Sequence, residues 1–240
     1  MLDPCVNYCK NAMDQSEFLK QAYFKDLRNG KMALEHFQYT QEQFFFAVDF
    51  FSRPMCALMA RLDNPLHRCK ILENVLEEHG NFDQKRFHSS TFKAFLKSIH
   101  AQDDVNTLAA GPEVSAFNSI LLNTCSADAP QKAIACLGAI EFAFAHISSL
   151  IGSAVIQMTW IHDINKLQHY TTHSELDFEH AQDFFDLIES NWNEPAKQEL
   201  IQQGLDLGLF IFARLYEDLY RAAIAKTKKA RTQISSSLSS

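Results

Sequence analysis

The sequence is poor in glycine and proline, with 7 and 6 among 240 residues. It contains no run of alternating apolar and polar residues, so a fold of short strands and tight turns is excluded. It also has no Gly-rich phosphate loop and no internal repeat. Positive charge is scarce: 22 Lys and Arg stand against 29 Asp and Glu, a net charge of −7, whereas a nucleic-acid binder would carry a basic face. The cysteines, at 5, 9, 56, 69, 125 and 136, form no CxxC pair and no paired zinc spacing. Several lie in apolar helical stretches, where Cys acts as a small hydrophobe. The start, Met1-Leu-Asp-Pro-Cys, carries neither a basic nor an apolar leader, and no uninterrupted apolar stretch of membrane-spanning length is found. A cytoplasmic chain with reduced thiols and no membrane partner is expected.

What is present favours helices. Hydrophobic residues make up 47% of the chain, including 20 Phe. After a lead-in over 1–12, helical spacing covers 14–28, with Gly30 as a stop. A second helix is expected from Thr40, where Thr40 and Gln43 resemble a capping box, with Pro54 kinking or breaking it. Asn64-Pro65 opens the next, which closes at Glu77-Glu78-His79-Gly80. Further helices are read over 88–100, from Pro112 to about 127, from Pro130 through Ile151, from the His173 region to near Trp192, and from Pro195 to about Lys226. The expected fold is all-α: one bundle of seven to nine helices over 1–227, with 228–240, basic and then Ser-rich, as a flexible tail. The last helix is apolar over a wide arc, including Leu205, Leu209, Phe212 and Leu219, and could cover the bundle or form a homodimer contact.

Three groups of residues carry chemistry. In a helix without Pro or Gly, His173, Asp177 and His180 project from one side. Two imidazoles and a carboxylate suit iron, manganese or zinc. Glu141 has Ile140, Phe142, Ala143 and Phe144 for neighbours and is hard to expose on any helical phase. Such a carboxylate needs a metal, a proton or a cation, the last supplied by an Arg or Lys of another helix. Glu78 ends one helix and His88 opens the next, so a local break can bring both into one site, with Glu77 and His79 as possible substitutes. Three carboxylates and three imidazoles are enough to hold two iron ions in a helical bundle, although the Glu-x-x-His spacing of ferritin-like sites is absent.

These residues, Glu-Glu-His-Gly at 77–80 with His88, Glu141 in an apolar helix, and His173-xxx-Asp177-xx-His180, resemble the haem-oxygenase-like di-iron oxidase family over roughly residues 14–225. That family shares its fold with thiaminase II and pyrroloquinoline-quinone synthase C. The resemblance implies Glu78, His88, Glu141, His173, Asp177 and His180 as ligands of two irons, Glu141 bridging or nearly so, with O2 and a small organic substrate as reactants and no catalytic residues beyond the ligands. One branch of the family consumes its own Tyr and Lys to make para-aminobenzoate; here Ile140 and Ile151 stand at two of those positions and Tyr23 is one residue off the third. Two other readings remain open on the same fold. One is a metal-free enzyme or small-molecule-binding protein, quinone-synthase-like or thiaminase-like, for which Cys125 or Cys136 would be the thiol. The other is a non-enzymatic interaction protein. The Phe-rich stretch 44–51 is either a pocket wall or ordinary core. Tyr23, Phe45 and Asp49 are the substrate-binding candidates, though Asp49 could equally pair with Arg53. His146, His162 and His169 are either supporting groups or surface histidines.

Overall fold

Proline is confined to helix starts. In the computed structural model, which describes residues 3–101, 105–161 and 163–237 without the side chains at 106, 164, 173–175, 231 and 234–237, five of the six prolines open a helix. These are α1 (Pro4–Gln15), α5 (Pro65–Glu78), α7 (Pro112–Ala127), α8 (Pro130–Gln157) and α10 (Pro195–Ser237). The first N–H of a helix has no internal partner, so its absence in Pro costs nothing there. The remaining helices are α2 (Ala22–Arg28), α3 (Leu34–Val48), α4 (Ser52–Met59), α6 (His88–Ser98) and α9 (Gln168–Asp186). No strand occurs among the described residues, and the chain is an all-α bundle in which α3 and α4 form one interrupted rod.

Four local expectations need correction. The lead-in is helical: Asp3 caps α1, its Oδ1 accepting from the backbone N–H of Cys5 at 2.7 Å and Val6 at 3.1 Å, so the Asp-Pro pair was the start signal. Thr40 is not a cap, because α3 begins at Leu34 and the Thr40 hydroxyl donates to the Phe37 carbonyl at 2.8 Å. The break in the rod precedes Pro54, which sits in the first turn of α4. Finally, α10 runs to Ser237, beyond the expected end near Lys226.

α8 is the axis of the bundle, with α9 and α10 packed along it. By length and composition it could cross a membrane, which corrects the expectation that no stretch could, but 83% of its apolar window is buried inside the fold. Three glycines permit the close packing. A Cβ on Gly204 would lie 2.2 Å from the Lys132 carbonyl oxygen, one on Gly208 2.5 Å from that of Cys136, and one on Gly138 2.5 Å from the Phe185 ring. α8 therefore touches α10 backbone to backbone and holds α9 close where both helices carry acidic residues.

Candidate metal centre

Four helices converge on one buried cluster. Glu77 and Glu78 come from the last turn of α5, His88 from the first residue of α6, Glu141 from the middle of α8, and Asp177 and His180 from α9. The chain reverses between α5 and α6 through three consecutive left-handed residues, Gly80, Asn81 and Phe82, with φ of 55°, 52° and 70°. This turn returns His88 beside Glu78, with Nδ1 2.9 Å from Oε1. Glu78, His88, Glu141, Asp177 and His180 are all buried. One ligand atom from each of Glu141, Asp177 and His180 lies within 4.8 Å of the other two.

His180 has a fixed role for each nitrogen. Its Nε2 meets the Glu77 carboxylate in a close hydrogen bond, and a carboxylate can only accept, so Nε2 carries the proton. In the neutral ring Nδ1 is then a lone pair. It lies 3.8 Å from Asp177 Oδ1 and has no hydrogen-bond partner. Glu141 Oε1 is likewise buried without one, and Glu141 makes no ion pair with Lys or Arg among the described residues. Both residues belong, with Asp177, to the group whose ligand atoms lie within 4.8 Å of one another. Two carboxylates and a histidine, held in place by an outer carboxylate, are a donor set that fits a divalent metal.

The electrostatics agree. Burial holds the Glu141 carboxyl well above its ordinary range, with Asp177, Glu78 and Glu77 adding to the effect. Burial does the same for Asp177, only partly offset by His180 and His88. Burial pulls His88 and His180 down, but the surrounding carboxylates outweigh it and both are raised. Glu77 is lowered, chiefly by the hydrogen bond from His180. Without a cation the cluster must retain protons, and a metal would take their place.

A cavity of about 40 Å³ adjoins the cluster. Glu78, His88, Glu141 and His169 form its polar end, and Phe44, Val48, Phe51, Phe144 and Phe212 its apolar walls. The Phe-rich stretch is thus a wall through Phe44 and Phe51, while Phe45 packs beside Phe46 and Phe92 and is not among the lining residues. Tyr23 is fully buried elsewhere, accepting from Gln41 Nε2 at 2.9 Å. Asp49 sits at a separate surface opening, 3.9 Å from Arg53. His173 lies one helical turn before Asp177, but its side chain falls outside the described residues, as does His162 altogether. His79 turns back to the Val75 carbonyl, and His146 to that of Phe142. His169 is the residue that sequence reasoning undervalued. It is buried, its Nδ1 lies 3.2 Å from the Thr91 hydroxyl, and it lines the cavity with His88. The available signal was its position four residues before His173, on the same helical stripe.

Residues 38–211 match a family described as iron-containing redox enzymes. No curated protein sequence matches significantly. Solved structures share the fold. A TenA homologue from Pseudomonas syringae pv. tomato superposes with a TM-score of 0.71 at 15% identity, over 90% of this chain and 91% of its own. A CADD-like protein of unknown function from Nostoc punctiforme gives 0.70 at 15% identity, over 91% and 98%. A domain of unknown function with a haem-oxygenase-like fold from Shewanella denitrificans gives 0.69 at 12% identity, over 89% and 90%.

Proposed function

The chain belongs to the family of iron-containing redox enzymes, and from that membership we propose that it holds two iron ions in its buried cluster and uses O2 to oxidise a small organic substrate. The observation that carries this reading is the convergence of Glu141, Asp177 and His180 within 4.8 Å, with Glu141 Oε1 and His180 Nδ1 unpartnered. Glu78 and His88 would serve one ion, Asp177 and His180 with His173 the other, and Glu141 would stand between them. Bound iron would supply the electrons that activate O2.

The protein supplies the rest. Glu77 keeps the proton of His180 on Nε2 and so directs Nδ1 inward. The carboxylates offset the charge of the metals. The Phe walls keep bulk water from the cluster, which strengthens every charge interaction inside. A cavity of about 40 Å³ accommodates only a few atoms, enough for a diatomic gas but not for a substrate of ordinary size.

The shared fold with TenA homologues raises a second reading, a metal-free thiaminase-like enzyme. Such chemistry needs a reactive thiol, and among the described residues none lines the cavity of about 40 Å³. Burial pushes Cys125 up to about 12 and Cys136 up as well, and neither lines the site. The test is metal analysis after anaerobic Fe(II) titration, followed by O2 consumption. About two irons per chain are expected, lost in Glu141→Ala and His180→Ala variants. A well-folded protein that takes up no iron would overturn the proposal.

A further inference from the structure

Among the described residues, openings on two sides border the cluster, and they differ in their cations. The opening at the start of α4 is bordered by Arg53, whose guanidinium is engaged: it lies 3.9 Å from Asp49 and 5.1 Å from the centre of the Phe50 ring. The opening on the other side, a cavity of about 180 Å³, has Glu77, His88 and His169 among its lining and Arg86 with them. Arg86 is exposed, and although its backbone N–H donates to the Asp83 carbonyl at 2.8 Å, among the described residues its guanidinium makes no hydrogen bond and no ion pair. Among the same residues Arg28, Arg61 and Arg68 also lack an acidic partner, but each donates to backbone carbonyls; the Arg86 guanidinium has neither kind of partner and lies beside a cluster of carboxylates.

The backbone is shaped to put it there. The turn of Gly80, Asn81 and Phe82 is left-handed at three successive positions, a conformation that costs roughly 1–2 kcal/mol at each non-glycine residue. The reversal brings the Arg86 backbone down onto Gly80, so close that a Cβ there would lie 2.6 Å from the Arg86 carbonyl carbon. The remaining lining is mostly polar, with Thr91, Gln168 and Thr172 beside one apolar side chain, Leu176, which suits a short polar molecule better than a long alkyl chain.

We propose that this cavity is the substrate subsite, and that Arg86 binds the carboxylate of a short polar organic acid, of the amino-acid or hydroxy-acid kind, whose other end faces Glu77, His88 and His169. A planar guanidinium matches a carboxylate through two parallel N–H bonds. The anion identified is that of the substrate and the anchoring end is Arg86. Only the identity of the reacting end rests on the iron reading given above.

The test uses the full chain kept metal-free with chelator, titrated calorimetrically with L-alanine and lactate, with their amides, and with decanoate. The two acids are expected to bind saturably and the amides about tenfold more weakly. Arg86→Gln is expected to remove that preference, and Arg86→Lys to keep part of it, since lysine retains the charge without the fork. Equal binding of acids and amides, an unchanged preference in Arg86→Gln, a preference for decanoate, or no saturable binding of either acid would each overturn the proposal. Iron uptake is measured separately on wild type and Arg86→Gln. Failure of the wild type to take up iron would defeat the metal reading and leave the carboxylate result standing on its own.

Discussion

Glu141→Gln should stabilise the metal-free protein at high pH, against the usual cost of altering a buried residue. Burial and the neighbouring carboxylates raise the Glu141 carboxyl above its ordinary value near 4.5 in the folded chain. The folded state therefore holds this proton more tightly than the unfolded one. Its contribution is complete below pH 4.5 and is lost as pH rises through the raised folded value. Asp177, raised from 3.8, acts in the same direction. So do His88 and His180, raised from 6.5. Glu77, lowered from 4.5, opposes them, its contribution being lost as pH falls below that value. Each retained proton gives a slope of about 1.4 kcal/mol per pH unit. In a chain of this length 1 kcal/mol moves Tm by roughly 2–4 °C. The Gln variant removes one such proton and should flatten the fall of Tm by about 3–6 °C per pH unit. Calorimetric scans of both proteins in chelator from mildly acidic to mildly basic pH measure this. Ferrous ion should reverse the trend in the wild type, because metal and protons compete for the same atoms. Parallel Tm curves for wild type and variant in chelator would refute the argument, since Glu141 would then hold no extra proton.

Other outcomes follow from single contacts. Glu77→Gln weakens the orientation of His180 and should cost about 10–100-fold in Fe(II) affinity, read by competitive chelator titration, while leaving the far-ultraviolet helix signal unchanged. Gly208→Ala drives a methyl into the Cys136 carbonyl and should destabilise by about 1–3 kcal/mol, read by urea unfolding; a neutral effect would mean that α8 and α10 are not in backbone contact. Cys56 and Cys69 are exposed and the other four thiols buried, so a thiol reagent should modify two rapidly under native conditions and the rest only on unfolding. Phe144→Ala opens the wall of the cavity and should cost about 3–5 kcal/mol, with part recovered by an apolar ligand such as benzene or xenon in a thermal-shift assay.

The sequence was most informative where a residue contradicted its surroundings. Glu141 stood out because every neighbour was apolar, and it proves to be buried in the longest run of core positions in the chain. Asp177 and His180 were readable because helical periodicity alone puts them on one side. Glu78 and His88 were harder, being joined only through a turn whose geometry depends on Gly80 meeting Arg86. What stayed hidden was tertiary. Nothing in the local pattern says that Glu77 reaches across to His180, 103 residues away, or that Phe44 rather than Phe45 faces the cavity. Both depend on the rotation of one helix against another, which periodicity fixes only to within a residue. Helix starts were misjudged for a related reason: Thr40 followed by Gln43 has the residue types of a cap, but the hydroxyl found its partner in the preceding turn.

The burial of α8 has a consequence during synthesis. Its two main partners, α9 and α10, follow it in the chain. For the time needed to translate the last third of the protein, a 28-residue helix with the length and apolarity of a membrane segment lacks these two partners and keeps its smaller contacts with α1, α2, α4 and α7. At about 5–20 residues per second this interval is several seconds, long enough for chaperones or a lipid surface to compete for it. A chain stopped after residue 157 should therefore be insoluble or membrane-associated, even though everything it contains is also present in the folded protein.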